Sequence, residues 1–507
     1  MKADGLQVRH LTDAEMTPVD GGWTVEAREV QIAPGETPED FFRHGWHSFS
    51  AAGWVHATSD YEPIPVPALQ MVDDDPAHAG EPWHSSAWVG AYRDVHGEVT
   101  LLGALGLDAR VHAHDGQLVG RTAGSEIAWF IARGGEREVF DAYARMLGER
   151  VGRRRSSAPR LWSSWYSYYE DITEGSLRSN LADVADWPID VFQTDDGWQQ
   201  AVGDWEPNDR FPDGMADLAA RIRSAGLRPG LWIAPFIAWP SSKLFRRHPE
   251  WFVRDEDGNP LPAGYNWRDW YYTLDLSRDD VLAFIEQVIR TARGWGFELL
   301  KLDFLFAGAI PGVRSHNGPR EALYRNAVER IRSAAGDDAY LLACGAPIVP
   351  SVGVFDAIRI SNDVSPYWDN PTLTEVVGAV SEVATRGAIA TSLHRLWLQE
   401  LIATDPDVVF FRSRGNLMND EQRRWLQDLA VLARFHGSSD PPSWLDPHER
   451  DALVAWMDAD PKVEHLDGYH FRIDGREVDF TALANRPRPV GQRIGPERRR
   501  HDPWQAG

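Results

Sequence analysis

The sequence predicts a multidomain α/β protein built on a central (β/α)8 barrel, with an antiparallel β domain before it and a smaller one after it. Three observations predict this. From Leu161 to about Arg412 apolar strand-like runs alternate with amphipathic helical stretches, as parallel β-α units do. The chain before that region reads as short strands punctuated by Gly, Pro and Asp. The chain after it contains a hairpin, Tyr469 to Phe480, with Asp474-Gly475 placed for the turn.

Residues 1–155 are expected to form a β-sandwich, with strands such as Trp23-Thr-Val-Glu-Ala27 and Glu98-Val-Thr-Leu-Leu-Gly103 and a helix near Val139 to Val151. Gly152-Arg-Arg-Arg-Ser-Ser-Ala-Pro159 reads as a linker, because it carries charge and turn residues without apolar periodicity. The barrel is assigned to 156–435. Its clear strands are Leu161–Tyr169, Val191–Asp196, Pro229–Phe236, Phe297–Phe304, Tyr340–Gly345 and Ala357–Asp363; weaker ones are Ala388–Leu393 and Val408–Arg412. A doubly wound sheet is the alternative, but no Gly-x-Gly-x-x-Gly follows the first strand, so dinucleotide binding lacks support. Residues 436–507 are assigned to a small antiparallel β domain ending in a loose Arg/Pro tail.

Composition narrows the function. The chain has 507 residues, 43% apolar, enough to bury a large core. A net charge of −24, from 76 acidic against 52 basic residues, argues against nucleic acid and anionic membranes as partners. The single cysteine, Cys344, excludes an internal disulfide, and neither an apolar signal segment nor a long apolar span is present, so a cytoplasmic enzyme is expected. The 23 tryptophans fill cores for the most part, yet flat rings also stack on the apolar faces of sugars.

Barrel active sites lie at the C-terminal ends of the strands, so polar residues closing apolar strands are the candidates. The first strand gives Trp162-Ser-Ser-Trp165-Tyr166-Ser-Tyr-Tyr169, suited to lining a sugar pocket; the second ends in Asp195-Asp196-Gly197-Trp198. The fourth ends in Lys301-Leu-Asp303, two residues apart and therefore on one face. Lys2, Lys243, Lys301 and Lys462 are the only lysines in an arginine-rich chain, which marks Lys301 as a place for a compact ammonium. The alternative is a strand-end salt bridge, or Asp303 capping the next helix. The sixth strand gives Arg359-Ile-Ser-Asn-Asp363. Several carboxylates at one barrel mouth repel unless cations are interleaved, which Lys301 and Arg359 supply, and the pattern implies a polar substrate. No clustered histidines end these strands, so no metal is expected, and no cofactor.

These elements, taken with Gly203-Asp-Trp205, Gly230-Leu-Trp-Ile-Ala-Pro-Phe236, Lys301 to Gly312 and Cys344-Gly-Ala-Pro347, resemble in order those of family 36 glycoside hydrolases, the shorter-chain α-galactosidases. The resemblance runs from Trp162 to about Arg412. It implies an N-terminal β-supersandwich, the barrel and the C-terminal β domain, and an α-galactoside as small-molecule partner. It also implies Asp303 as nucleophile and Asp363 as general acid/base of a retaining hydrolysis that removes terminal α-galactosyl residues. An ammonium two residues away favours the ionised nucleophile, whose charge should in turn raise the proton affinity of Asp363. By the same resemblance Asp195 and Asp196 grip the O4 and O6 hydroxyls beside Lys301 and Trp232, although one of the pair could instead cap a helix. Arg359 would position the acid, and Cys344 would be a pocket wall or a buried structural thiol. Gly45-Trp-His-Ser-Phe-Ser50 resembles a loop over the family's active site, which puts Trp46 or Trp54 at the substrate.

The chain departs from the family at two places. Around the acid the pattern Arg-x-Gly-Pro-Asp is replaced by Arg359-Ile-Ser-Asn-Asp363, and Trp-Leu-Asn-Asp-Pro-Asp is stretched over Trp397 to Asp407. An α-N-acetylgalactosaminidase, a galactosyl transferase of the raffinose synthase type or a silent sugar-binding protein therefore stand as alternatives. The sequence leaves the oligomeric state open.

Overall fold

The structure is a computed structural model and describes residues 2–3, 6–10, 15–34, 37–57, 74–78, 84–154, 156–369 and 384–484. The sequence-predicted Arg/Pro tail lies outside the described residues.

The N-terminal part is two antiparallel sheets, one of six strands and one of seven. In the larger sheet Val99–Ala104 lies between Ile127–Gly134 and Val89–Asp94, and all six of its residues are buried. The helix Glu136–Val151 turns Val139, Phe140, Tyr143 and Leu147 inward at 3.6-residue spacing. Tyr143 packs its ring 5.5 Å from Trp397 of the barrel region, which joins the two parts through one apolar core.

The barrel strands, all parallel, are β1 (Leu161–Ser163), β2 (Val191–Thr194), β3 (Arg228–Ile233), β4 (Leu299–Leu302), β5 (Tyr340–Ala343), β6 (Ala357–Arg359), β7 (Ala403–Asp405) and β8 (Gly437–Ser438). β8 pairs with β1, and a parallel bridge from Val409 to Ser438 brings the chain after β7 against β8. Near-continuous burial of these strands is what a sheet covered on both faces requires.

Four elements differ from the sequence expectation. Ala388–Leu393 is not a strand but the C-terminal part of the helix Thr385–Leu393, and every residue from Ala388 on is buried; a helical stretch with no exposed face has no 3.6-residue signature. Val408–Arg412 forms only the Val409 bridge, and the seventh strand is the polar-ended Ala403–Asp405. The eighth, of two residues, lies just past the expected barrel boundary at 435. The first strand stops at Ser163, after which Trp165–Tyr168 is helical.

Toward the C-terminus three antiparallel strands, Val463–Asp467, His470–Ile473 and Arg476–Asp479, pack through Phe471, Ile473 and Val478 in one cluster with Leu426 and Leu429 of the helix Asp420–Ala433. Asp474 and Gly475 both have positive φ, as the two-residue turn of a hairpin demands.

The N-terminal sheet also sends a loop to the barrel mouth, between Pro38–His44 and Ala52–His56. Ser48 N–H donates to Ala346 C=O at 3.0 Å, Ile348 N–H donates to Trp46 C=O at 3.1 Å, and the His47 ring stacks on Phe306 at 4.9 Å. The buried Arg395 guanidinium donates to the carbonyls of Gly45, His47 and Ser48 as well as Ile360. One buried side chain thus supplies donors to backbone carbonyls on both sides of the interface.

Candidate active site

A cavity of about 210 Å³ opens where the strands end and is lined by Asp195, Asp196, Trp232, Lys301, Asp303, Asn362 and Asp363, with Trp165, Phe49 and the Tyr265–Trp267 segment closing its sides. A larger cavity of about 630 Å³ lies between sandwich, barrel and C-terminal sheet, but it holds none of these strand-end carboxylates.

Asp195 and Asp196 follow β2 directly. Asp195 Oδ2 accepts from Lys301 Nζ at 3.0 Å and Gln193 Nε2 at 2.6 Å, while its N–H donates to Ser164 Oγ at 2.9 Å. Asp196 accepts from Gln199 Nε2 at 2.6 Å and from Trp267 Nε1 at 2.7 Å. Burial, reinforced by the charges of Asp195 and Glu170, pushes the Asp196 carboxyl up to about 7, against the pull of those two donors. The chain can turn away after this pair because Gly197 adopts φ 112°; a Cβ there would stand 2.5 Å from the Glu170 carbonyl oxygen.

Asp303 continues β4, its N–H bonded to Ile233 C=O at 2.9 Å. Two donors fix its carboxylate: Trp232 Nε1 on Oδ2 at 3.0 Å and the Phe304 N–H on Oδ1 at 2.7 Å. Phe304 is held at φ 52°, a conformation uncommon for a non-glycine residue, and it begins a 3-10 turn that delivers Phe304 and Phe306 to the cavity. Lys301 makes its direct bond to Asp195 and not to Asp303. Burial alone would lower its proton affinity, but Asp195, with Cys344 and Asp303, outweighs that and holds it charged.

Asp363 stands across the cavity beyond β6. Its Oδ1 accepts from Arg359 Nη1 at 2.9 Å, and its side chain is 41% exposed on the cavity side, with protein elsewhere around it. That enclosure, with the negative charge of Asp407, raises the carboxyl to about 7 despite the opposing pull of Arg359 and Lys301. Arg359 is buried and also bonds Asp405 Oδ2 at 3.0 Å and Asp407 Oδ2 at 2.9 Å, so one cation serves three carboxylates.

The expected residues fall into two layers. Asp195, Asp196, Trp165, Trp232, Lys301, Asp303 and Asp363 face the cavity. Arg359, Tyr166, Cys344 and Trp198 stand behind it: Tyr166 donates its hydroxyl to Asp407, Cys344 is buried, and Trp198 Nε1 donates to Trp232 C=O at 2.9 Å. Contrary to expectation, neither Trp46 nor Trp54 lines the cavity. Trp46 is buried beneath the Arg320 guanidinium and Trp54 beneath that of Arg93, and the loop places Phe49 in the cavity wall instead, because its bonds to the barrel turn Trp46 into the interface. Sequence reasoning missed the hairpin Pro262–Asn266 to Asp269–Thr273, whose Tyr265, Asn266, Trp267 and Tyr271 complete the pocket. Its aromatic density was the available signal; its turn, Trp267-Arg268 with both φ positive, lacks the glycine that marks such turns.

Among the described residues one carboxylate group has spacing for a cation, Glu174, Asp213 and Asp217, and Arg178 already pairs with all three.

Residues 134–302 match the family model described as Melibiase. An α-galactosidase from Thermus thermophilus, TtGalA, solved with p-nitrophenyl α-D-galactopyranoside, is 44% identical, with a TM-score of 0.89 over 94% of this chain and 97% of that one. The family 36 α-galactosidase AgaA of Geobacillus stearothermophilus shares the fold at a TM-score of 0.58, with 15% identity over 90% of this chain and 75% of that one. In direct sequence comparison AgaA is 32% identical over 144 residues, 27% of this chain and 19% of its own length. A galactosaminidase of Flavonifractor plautii is 24% identical over 326 residues, 58% of this chain and 29% of its own length. The match thus spans less than a third of each of these two curated relatives.

Proposed function

Since the chain belongs to the melibiase family, glycoside hydrolase family 36, we propose that it is a retaining, exo-acting α-galactosidase with Asp303 as nucleophile and Asp363 as general acid/base. The observation that carries the reading is the unequal pair: two carboxyls face one cavity, one fixed by two N–H donors and the other holding its proton to about 7. In a retaining site the first attacks the anomeric carbon while the second gives its proton to the departing oxygen.

Attack converts the Asp303 carboxylate into a neutral ester and removes a negative charge from beside Asp363. Asp363, now deprotonated, is left with Arg359 and Lys301 as the charges favouring its ionised form, and it takes the proton of the incoming water. Asp195 and Asp196, each already engaged by donors that fix its orientation, present acceptor oxygens to hydroxyls on the far side of the ring. A ligand that lacks a hydroxyl in the right place leaves a buried carboxylate unpaired, which supports discrimination between epimers. A compact cavity suits removal of one terminal residue. The cytoplasm is the compartment we assign; the buried, unpaired thiol of Cys344 is in keeping with it.

The test is Asp303→Gly with azide. Turnover of a nitrophenyl α-galactoside should vanish and return with azide as the β-galactosyl azide; undiminished hydrolysis by the variant would refute the assignment.

A further inference from the structure

Beside the general acid this chain carries Ser361-Asn362 where the family pattern has Gly-Pro. Both side chains bond the backbone of their own turn: Ser361 Oγ donates to Asn362 C=O at 2.9 Å, and Asn362 Nδ2 donates to Asp363 C=O at 2.9 Å. The segment is tied at its two ends as well, where the Ile360 N–H donates to Asp405 C=O at 2.9 Å and the Val364 N–H to Asp407 Oδ2 at 3.0 Å. Hydrogen bonds thus give the turn the stiffness that a proline would supply.

Asn362 is 3% exposed and lines the active-site cavity. Its bond to the Asp363 carbonyl fixes which end of the amide is which, because a carbonyl accepts only from the NH2 end. The other end, Oδ1, is an enclosed acceptor with no hydrogen-bond partner. Among the described residues that line the cavity, no other buried side-chain nitrogen or oxygen is left in that state. An acceptor of this kind costs stability until a donor reaches it. The side of the sugar served by the acid/base is the side from which the leaving group departs and the attacking group enters.

We propose that Asn362 Oδ1 and the Asp363 carboxylate together hold the attacking water by its two O–H bonds, so that the galactosyl-enzyme is directed to hydrolysis in preference to galactosyl transfer. This rests on the α-galactosidase reading and adds the choice of acceptor to it. The water oxygen bonds to the anomeric carbon as the ester bond to Asp303 breaks and returns its carboxylate. One proton passes to Asp363; the other stays on the new hydroxyl, which remains bonded to Asn362 Oδ1. An alcohol has a single O–H, and Asp363 must take that proton. It therefore leaves Asn362 Oδ1 unpaired and sets carbon against it, and a buried polar group left unpaired discriminates against the ligand that leaves it so.

The test measures partitioning in aqueous methanol with nitrophenyl α-galactoside as donor, scoring methyl galactoside against galactose, in the wild type, in Asn362→Ala and in the family-like double variant Ser361→Gly, Asn362→Pro. This ratio is set after the galactosyl-enzyme has formed, so a general loss of activity or of substrate affinity leaves it unmoved. The wild type should react with water in preference to methanol, molecule for molecule. The methanol-to-water ratio should rise about fivefold in both variants, the order of one neutral hydrogen bond lost. A rise of less than twofold in the variants that fold overturns the inference. So does a wild type that prefers methanol molecule for molecule, a result that needs no variant. Wild-type protein that releases no nitrophenol, or that forms the β-anomer of methyl galactoside, overturns the retaining α-galactosidase reading itself, and the inference with it.

Discussion

Replacing Asp407 with asparagine should move the alkaline limb of the pH–activity profile to lower pH. Arg359 Nη1 lies 2.9 Å from Asp363 Oδ1 and 2.9 Å from Asp407 Oδ2, so the two carboxylate oxygens are at most twice that distance, about 5.8 Å, apart. Two unit charges at that separation repel by roughly 3 kcal/mol at an effective dielectric of 20 and by about half that at 40. With about 1.4 kcal/mol per pKa unit, Asp407 contributes on the order of one to two units to the proton affinity of Asp363. The sign follows from the role. The general acid must be protonated in the free enzyme, so kcat/KM falls as pH rises through its pKa, which lies at about 7 in the native protein. A neutral amide at position 407 removes the repulsion, Asp363 loses its proton earlier, and the limb should drop by about one to two units. The assay is kcat/KM from pH 4 to 9 on an α-galactosyl disaccharide, whose sugar leaving group needs the proton. A nitrophenyl leaving group departs with little help and should show a flatter limb. An alkaline limb that stays in place on the disaccharide, or moves upward, would refute the assignment of Asp363 as the acid governed by Asp407.

Other outcomes follow from the same geometry. Trp232→Phe keeps an aromatic ring but removes the N–H on Asp303; kcat should fall roughly 10- to 100-fold, the cost of a hydrogen bond to a charged group, while the inhibition constant of galactose shifts little. Equal losses in both would point to a collapsed pocket. Lys301→Met leaves Asp195 buried without its cation and should lower stability by about 3–5 kcal/mol, visible as a reduced melting temperature at pH 7; an unchanged melting temperature would show that the pair is not needed for the fold. Asp196→Asn should abolish activity yet raise the melting temperature at pH 8. The folded-state pKa of about 7 lies above the unfolded value near 4, so this carboxyl lowers stability progressively as pH rises from 4 to 7, and the penalty persists above that. A variant no more stable than wild type at pH 8 would show that its donors offset burial in full.

The order of the barrel strands was legible because six of them are largely apolar runs, three of which close in Asp, Lys or Arg, and a strand buried on both faces admits little else. The last two were not. Ala403–Asp405 and Gly437–Ser438 hold their places through neighbours on each side, a tertiary effect that leaves no run in the sequence. Within the site, Asp303 and Asp363 could be named from strand ends, but the pairing of Lys301 with Asp195 could not, since spacing places Lys301 on a face without choosing between carboxylates. Asp405 and Asp407 were visible only as a stretched motif; their role beside Arg359 depends on β7 lying next to β6. Trp46 misled because an aromatic residue in a loop looks the same whether it points to a ligand or to a domain interface.

Arg395, with hydrogen bonds to three carbonyls of the N-terminal loop and one from the barrel, makes the catalytic wall a joint property of two folding units. Phe49 keeps its position only while the sandwich that carries it is intact. Heat inactivation should accordingly follow whichever unit melts first, and a barrel excised for engineering would arrive with one side of its binding site missing. Recombination that swaps the N-terminal unit between relatives must carry the 45–50 loop and the Arg395 side chain as a matched pair.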